Sequence, residues 1–293
     1  MQKLAVGDYF RFFCKIRLLE DMQEKITEEF ENKKALIVGE ISTSKCIAEF
    51  KCVSDAEALP ASAALVALYA ASLKADVSLV GAIGPDVAGS KIIARLRDKK
   101  INLSGLTIDP LGQTPCWEGI HERKHSRPLN PVTEEQITQK TLEEAEKAQT
   151  ILYISKDQAN FSSKLYKELK NVSRRLQIPL TILTCLPLPE IPGDTSCNDL
   201  LITHKKKELK FDKALLSQAR ANQCLVIDKT KGFRLINRKE NSNHHFKTNG
   251  AGLHQYEAAL SALSILLLTC NKFPSSLPEL AKNMSVKNNH ISL

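Results

Sequence analysis

Thr248-Asn249-Gly250-Ala251-Gly252 runs straight into an apolar stretch from Leu253 to about Leu268. Two glycines at the start of a helix leave backbone N–H groups unobstructed. Together with the positive end of the helix dipole, such groups receive a phosphate or a developing negative charge. The same residues also make a plain tight turn into a buried helix, and spacing alone leaves both readings open.

Three other clusters could carry chemistry. Lys205-Lys206-Lys207 lie between a strand-like run, Asp199–Thr203, and Glu208. At the carboxyl end of a strand they would attract anions as point charges; otherwise they are a solvated charged loop. His244-His245 read as a loop pair before the glycine turn, and adjacent histidines without further ligands are ordinarily just solvated, so no metal site is assigned. Gly81-Ala82-Ile83-Gly84-Pro85-Asp86-Val87-Ala88-Gly89 closes a strand and opens a helix.

The elements that must position these residues alternate. Ala35–Gly39, Val77–Ala82, Thr150–Ile154, Pro179–Thr184, Asp199–Thr203 and Gln223–Ile227 are short apolar runs of the kind buried on both faces of a parallel sheet. Helical spacing links Ile92, Ile93 and Leu96 after Gly89. It also links Leu165, Leu169, Val172 and Leu176 after Ser162, and Leu253, Tyr256, Leu260, Leu263 and Leu267. Repeated β-α-β units predict an α/β fold, a mostly parallel central sheet with helices on both faces. Lys45–Val53 and Gln113–Arg123 break the rhythm and read as strands outside the main sheet. They would form a small β flap, or lid, over the carboxyl ends of the strands, where ligands of open α/β sheets bind.

Composition narrows the class. With 43% hydrophobic and 25% charged residues over 293 positions, the chain can bury a large core. The net charge of +8 comes from lysines and arginines spread along the sequence. No nucleic-acid-binding fingerprint accompanies them, so nucleic acid is not the expected partner. Eight cysteines show no Cys-x-x-Cys spacing, and no apolar run reaches membrane-spanning length. The expected protein is reduced and cytoplasmic. Residues 1–33 form a helical extension (amphipathic over Lys15–Glu31), 34–271 the α/β domain with lid strands near 45–53 and 113–123, and 272–293 a tail with a short helix at Pro278–Met284.

In order and spacing, Gly81–Gly89, Leu200–Thr203 with Glu208, Gly232 and Gly250–Gly252 resemble the ribokinase-like (PfkB) carbohydrate kinases. The resemblance runs from about Lys34 to Cys270. Ala35–Glu40, Pro60–Val80 and Leu200–Glu208 are similar in particular to the kinase domain of heptose 7-phosphate kinase/ADP-heptose synthase enzymes. It implies phosphoryl transfer from ATP with Mg to a sugar hydroxyl. The anion hole is then Asn249, Gly250, Ala251 and Gly252, with an aspartate after the turn taking the hydroxyl proton.

Here that base position is Leu253, which cannot accept a proton, and loss of a general base typically costs about 10²–10⁴ in rate. His254 is a possible substitute base, although a helical residue one position on points about 100° away. Lys247 replaces the acidic residue that opens the motif. The paired glycines and the asparagine of the family's sugar site fall on Ala61, Ser62 and Leu65, and its early aspartate on Ser44. On the nucleotide side Lys205 stands for an asparagine, Glu208 and Gly232 persist, and Ile227-Asp228 replace a threonine-arginine pair. The expectation is a pseudokinase that retains nucleotide or sugar-phosphate binding, or that acts through a protein partner. Two alternatives stay open: a divergent active sugar kinase, and a basic module for nucleic acid or anionic lipid. Pairing of flap strands between subunits would make a homodimer, and the short tail leaves room for the kinase half-reaction alone.

Overall fold

The computed structural model describes residues 28–48, 51–52, 59–117, 123–124, 131–155, 163–184, 200–204, 223–228, 232–237, 242–246, 253–270, 277, 285–287 and 290–292. In chain order the strands are β1 (Lys34–Gly39), β2 (Ile41–Ser44), β3 (Cys46–Ala48), β4 (Lys51–Cys52), β5 (Leu59–Ala61), β6 (Asp76–Ile83), β7 (Leu106–Ile108), β8 (Cys116–Trp117) and β9 (Arg123–Lys124). They continue as β10 (Thr150–Ser155), β11 (Leu180–Thr184), β12 (Leu200–His204), β13 (Gln223–Asp228), β14 (Gly232–Asn237) and β15 (Ser242–Phe246), with a terminal pair β16 (Ser285–Lys287) and β17 (His290–Ser292). The helices are α1 (Ser62–Ser72), α2 (Val87–Asp98), α3 (Pro131–Ala145), α4 (Ser163–Leu176) and α5 (Leu253–Thr269).

Among the described residues nine strands form one sheet in the order β15-β14-β13-β12-β11-β10-β1-β6-β7. Seven are joined by parallel pairing, and β14 and β15 are added at one edge by antiparallel pairing, so that β14 alone runs opposite to the rest. Every residue of β10 and β11 is buried, as a strand covered on both faces requires. From β1 the chain builds outward through β6 and β7; it then crosses back to β10 and builds the other way. The switch point lies between β1 and β10, and the crevice at their carboxyl ends is where such a sheet takes a ligand.

Each face of the sheet has its own core. On one, Ile37, Leu79 and Leu152 pack beneath α1, α2 and α5. α1 is apolar all round and buried from Ser62 to Ala70, a helix enclosed rather than half-solvated. On the other face Leu36, Val38, Ile151 and Tyr153 meet Ile137 of α3 and Leu165, Tyr166 and Leu169 of α4. Phe30, ahead of β1, is fully buried in the first core.

The flap is more divided than expected. Its sheet has the order β5-β2-β8-β9, so Ile41–Ser44 and Leu59–Ala61 belong to it. The run 45–53 is no single strand: β3 and β4 form a separate hairpin with a bulge. His244 and His245 are not in a loop but in β15, opposite Leu235 and Arg234. α2 begins at Val87, ahead of Gly89, because Asp86 caps it. The helix expected at Pro278–Met284, and the expected N-terminal helix up to residue 27, lie outside the described residues.

Candidate functional site

The floor of the crevice is backbone. Gly39, the last residue of β1, has φ +152°, and a Cβ placed there would sit 2.4 Å from the carbonyl oxygen of Ile154 in β10. A Cβ on Gly81 would lie 2.4 Å from the Gly39 carbonyl oxygen and 2.9 Å from Ile41 Cδ1. Both glycines let strand ends approach more closely than a side chain allows. Beyond Gly39 the chain turns through Glu40 into β2, and the Glu40 carbonyl accepts from the Ala63 N–H at 3.0 Å, tying the root of the flap to α1.

The four candidate substrate positions converge on β2, β5 and α1. Ser44 ends β2 opposite Leu59, while Ala61 lies opposite Ser42, and Ser62 bridges Ile41. Ser62 opens α1 at φ +50°, a left-handed conformation that serine adopts at a cost. Ala61, the residue before it, is extended and gives the helix no side-chain cap. Ser62 Oγ is buried, as is Ser42 Oγ, and neither finds a hydrogen-bond partner among the described residues. Leu65 is 5% exposed and belongs to the core, so its side chain is packing material. Ser42 and Ser44 therefore put hydroxyls on one face of β2, and the sequence reading missed Ser42. Its signal was the period of two, since residues 42 and 44 share a face of the strand.

Gly81–Gly89 forms a latch. Asp86 Oδ1 accepts from the Gly89 N–H at 2.7 Å and from Thr114 Oγ1 at 2.8 Å, and Oδ2 accepts from the Thr114 N–H at 2.7 Å. Thr114 Oγ1 in turn accepts from the Gly84 N–H at 3.1 Å. Cβ atoms on Gly84 or Gly89 would come within 2.6 Å of the Gln113 Cα or the Gly84 carbonyl oxygen, respectively. The motif thus locks the start of α2 to the segment that leads into β8. Thr43 N–H then donates to the Pro115 carbonyl at 2.8 Å, and Lys45 N–H to the Trp117 carbonyl at 2.9 Å.

Of the residues that the resemblance sets on a nucleotide side, or at the base position, Leu253 and His254 are the first two of α5, and Gly232 opens β14 opposite Asp228. Ile227 and Asp228 end β13. Glu257, one turn into α5, is buried, and its carbonyl accepts from Ser261 Oγ at 2.6 Å. Asn249, Gly250, Ala251, Gly252, Lys205, Glu208 and Lys247 lie outside the described residues. Another heavily bonded carboxylate lies at the amino-terminal end of the strands. Glu144 accepts from Ser78 Oγ (2.7 Å), Lys147 Nζ (2.9 Å), Asn102 Nδ2 (3.0 Å) and Ser104 Oγ (3.2 Å). Burial pushes its carboxyl up, but the hydrogen bonds and the charge of Lys147 outweigh that and hold it below the ordinary glutamate value. Among the described residues no cluster of three or more metal-ligating side chains occurs, and no helix is long and apolar enough to cross a membrane.

Residues 62–203, from the start of α1 into β12, match the model of the pfkB family carbohydrate kinases. The matched span, just under half of the chain, is similar to that family. Three solved structures share the fold. Ribokinase from Giardia lamblia is 12% identical over 86% of this chain and 91% of its own (TM-score 0.59). Aminoimidazole riboside kinase from Salmonella enterica is 12% identical over 86% and 90% (TM-score 0.57). A protein from E. coli designated ribokinase II, solved in complex with ATP and Mg2+, is 12% identical over 85% and 90% (TM-score 0.59). No curated protein matches by sequence. The matched span includes Ser62, Leu65 and the Asp86 latch and ends before the Gly250–Leu253 segment.

Proposed function

We propose that this chain is a pfkB-type pseudokinase: it binds a nucleotide or a sugar phosphate in the crevice at the carboxyl ends of β1 and β10 and transfers phosphoryl groups slowly or not at all. The observation that carries the reading is Leu253, a leucine directly after Gly250-Ala251-Gly252 and at the first position of α5. A leucine side chain neither takes a proton from an alcohol nor holds one in place. The sugar side agrees, since by the resemblance Leu65 stands at an asparagine and Ser44 at an aspartate, and Leu65 is core.

The donor set suits a nucleotide better than a sugar. Lys205, Lys206 and Lys207 are point charges for phosphate oxygens, and Glu208 is a carboxylate of the kind that holds Mg2+ together with phosphate. Bound ATP–Mg would supply the transferable phosphoryl group; Gly250–Gly252 would give it backbone N–H donors. The heptose-phosphate resemblance makes heptose phosphates the first sugars to try, beside hexose phosphates.

Calorimetric and thermal-shift titration with ATP–Mg, ADP and these sugar phosphates tests the reading. Saturable nucleotide binding that raises Tm by mass action, with turnover at background, is expected. Ordinary kinase turnover by the native protein overturns it. Leu253→Asp tests the position itself, because a general base restored in a competent site gives about 10²–10⁴ in rate. The intact glycine turn favours one competing reading, an active kinase with His254 as base; it requires His254→Ala to abolish a measurable activity.

A further inference from the structure

We propose that a cavity at the amino-terminal end of the sheet, the end opposite the crevice, binds a small zwitterion of amino-acid size, its carboxylate on Lys34 and its ammonium on Asp76. The period of two puts Lys34 and Leu36 of β1 on one face of the sheet, with Asp76 and Ser78 of β6 beside them in register. α3 covers that face, since its Ile137 and Ala145 pack in the same core as Leu36. The helix stops at Ala145. Beyond its end lies a cavity of about 100 Å³ whose lining includes Lys34, Asp76, Ser78, Asn102, Glu144 and Lys147. One enclosed water needs about 10–15 Å³ on this measure, so the space takes a guest of several heavy atoms.

Part of the lining is already committed. Glu144 accepts from Ser78, Asn102, Ser104 and Lys147, and Asn102 Nδ2 divides its two protons between Glu144 and Ser78 Oγ, each at 3.0 Å. The charges of Glu144 and Lys147 cancel within that network. Lys34 and Asp76 differ. They are register partners on adjacent strands, opposite in charge and both exposed. Among the described residues neither side chain has a hydrogen bond or an ion pair, not even with the other. An ammonium and a carboxylate side by side at a cavity, both unengaged, match a guest that carries the two opposite groups. Lys147 Nζ keeps two further N–H donors for the guest carboxylate, and the carboxyl end of α3 favours the guest ammonium. An anion alone is repelled by Asp76 and that helix end, and a cation alone by Lys34 and Lys147. A zwitterion meets neither penalty. The inference is independent of whether the chain transfers phosphoryl groups.

The test is calorimetric titration of the full chain with glycine and L-alanine, beside sodium acetate and methylammonium chloride at matched ionic strength. Saturable binding of both amino acids is expected, with acetate and methylammonium each weaker by about tenfold or more. Lys34→Gln and Asp76→Asn should each weaken glycine binding by about tenfold. Both side chains are exposed, so unchanged far-UV circular dichroism should report an intact fold in either variant. Asp76→Asn should also bind acetate more tightly than the wild type does, a shift that a merely structural role of Asp76 would not produce. No saturable heat with either amino acid overturns the proposal. So does acetate binding as tightly as glycine to the wild type, or glycine binding that either variant leaves unchanged.

Discussion

Ser62 is the residue where conformation and identity disagree. Its φ of +50° is one that glycine takes freely and serine does not, and its buried hydroxyl has no partner among the described residues. The neighbours hold it there: the bridge to Ile41 on one side, and on the other the Ala63 N–H bonded to the Glu40 carbonyl. Ser62→Gly is therefore expected to stabilise the protein by about 1 kcal/mol, the left-handed strain removed outweighing the added chain entropy. Thermal melts should show Tm up by about 2–4 °C. A fall in Tm would mean that the serine hydroxyl is satisfied by solvent or by a ligand. The sequence identifies this place as a departure from a glycine, but the retained backbone geometry comes only from the structure. Leu65 is the complementary case: the resemblance marks it as a lost sugar contact, whereas burial marks it as core.

At the scale of elements, the strands were legible because a strand buried on both faces is an unbroken aliphatic run, as in Ala35–Gly39 and Thr150–Ile154. α3 went unread for the opposite reason. Its buried residues are Thr133, Ile137, Thr138, Thr141, Glu144 and Ala145, so the helical period is carried by threonines and one carboxylate. β7 has three residues, too few for any period to register. Glu144 ties α3 to β6 through Ser78 and to the approach to β7 through Asn102 and Ser104. Its carboxyl is lowered in the folded state, so its stabilisation is complete above the unfolded glutamate value of about 4.3. The contribution fades as pH falls through the folded value. Glu144→Gln should cost about 1.5–3 kcal/mol near neutral pH, and the gap from wild type should narrow at acid pH as the carboxylate takes up a proton. Urea unfolding at the two pH values measures it; a gap independent of pH would mean that the charge of Glu144 contributes nothing.

At the scale of the whole molecule, the two cores share their strands. Leu152 faces α1 and α5, and its neighbour Tyr153 faces α3 and α4. Damage to one core is therefore transmitted to the other through β10. Leu152→Ala should cost about 2–5 kcal/mol and lower a single cooperative transition, seen identically by calorimetry and by near-UV circular dichroism. Separate transitions in the variant would show that the faces unfold independently. The sequence predicted this layered sheet, because alternation of elements and handedness leave few other topologies. It did not predict how the flap is hung. That attachment has two fixed posts, the Ala63–Glu40 bond at the exit from β1 and the Asp86–Thr114 bonds ahead of β8. With both posts fastened to the helices α1 and α2, any opening of the flap has its pivot outboard of them. A flap hung in this way would leave the depth of the crevice set and only its mouth adjustable.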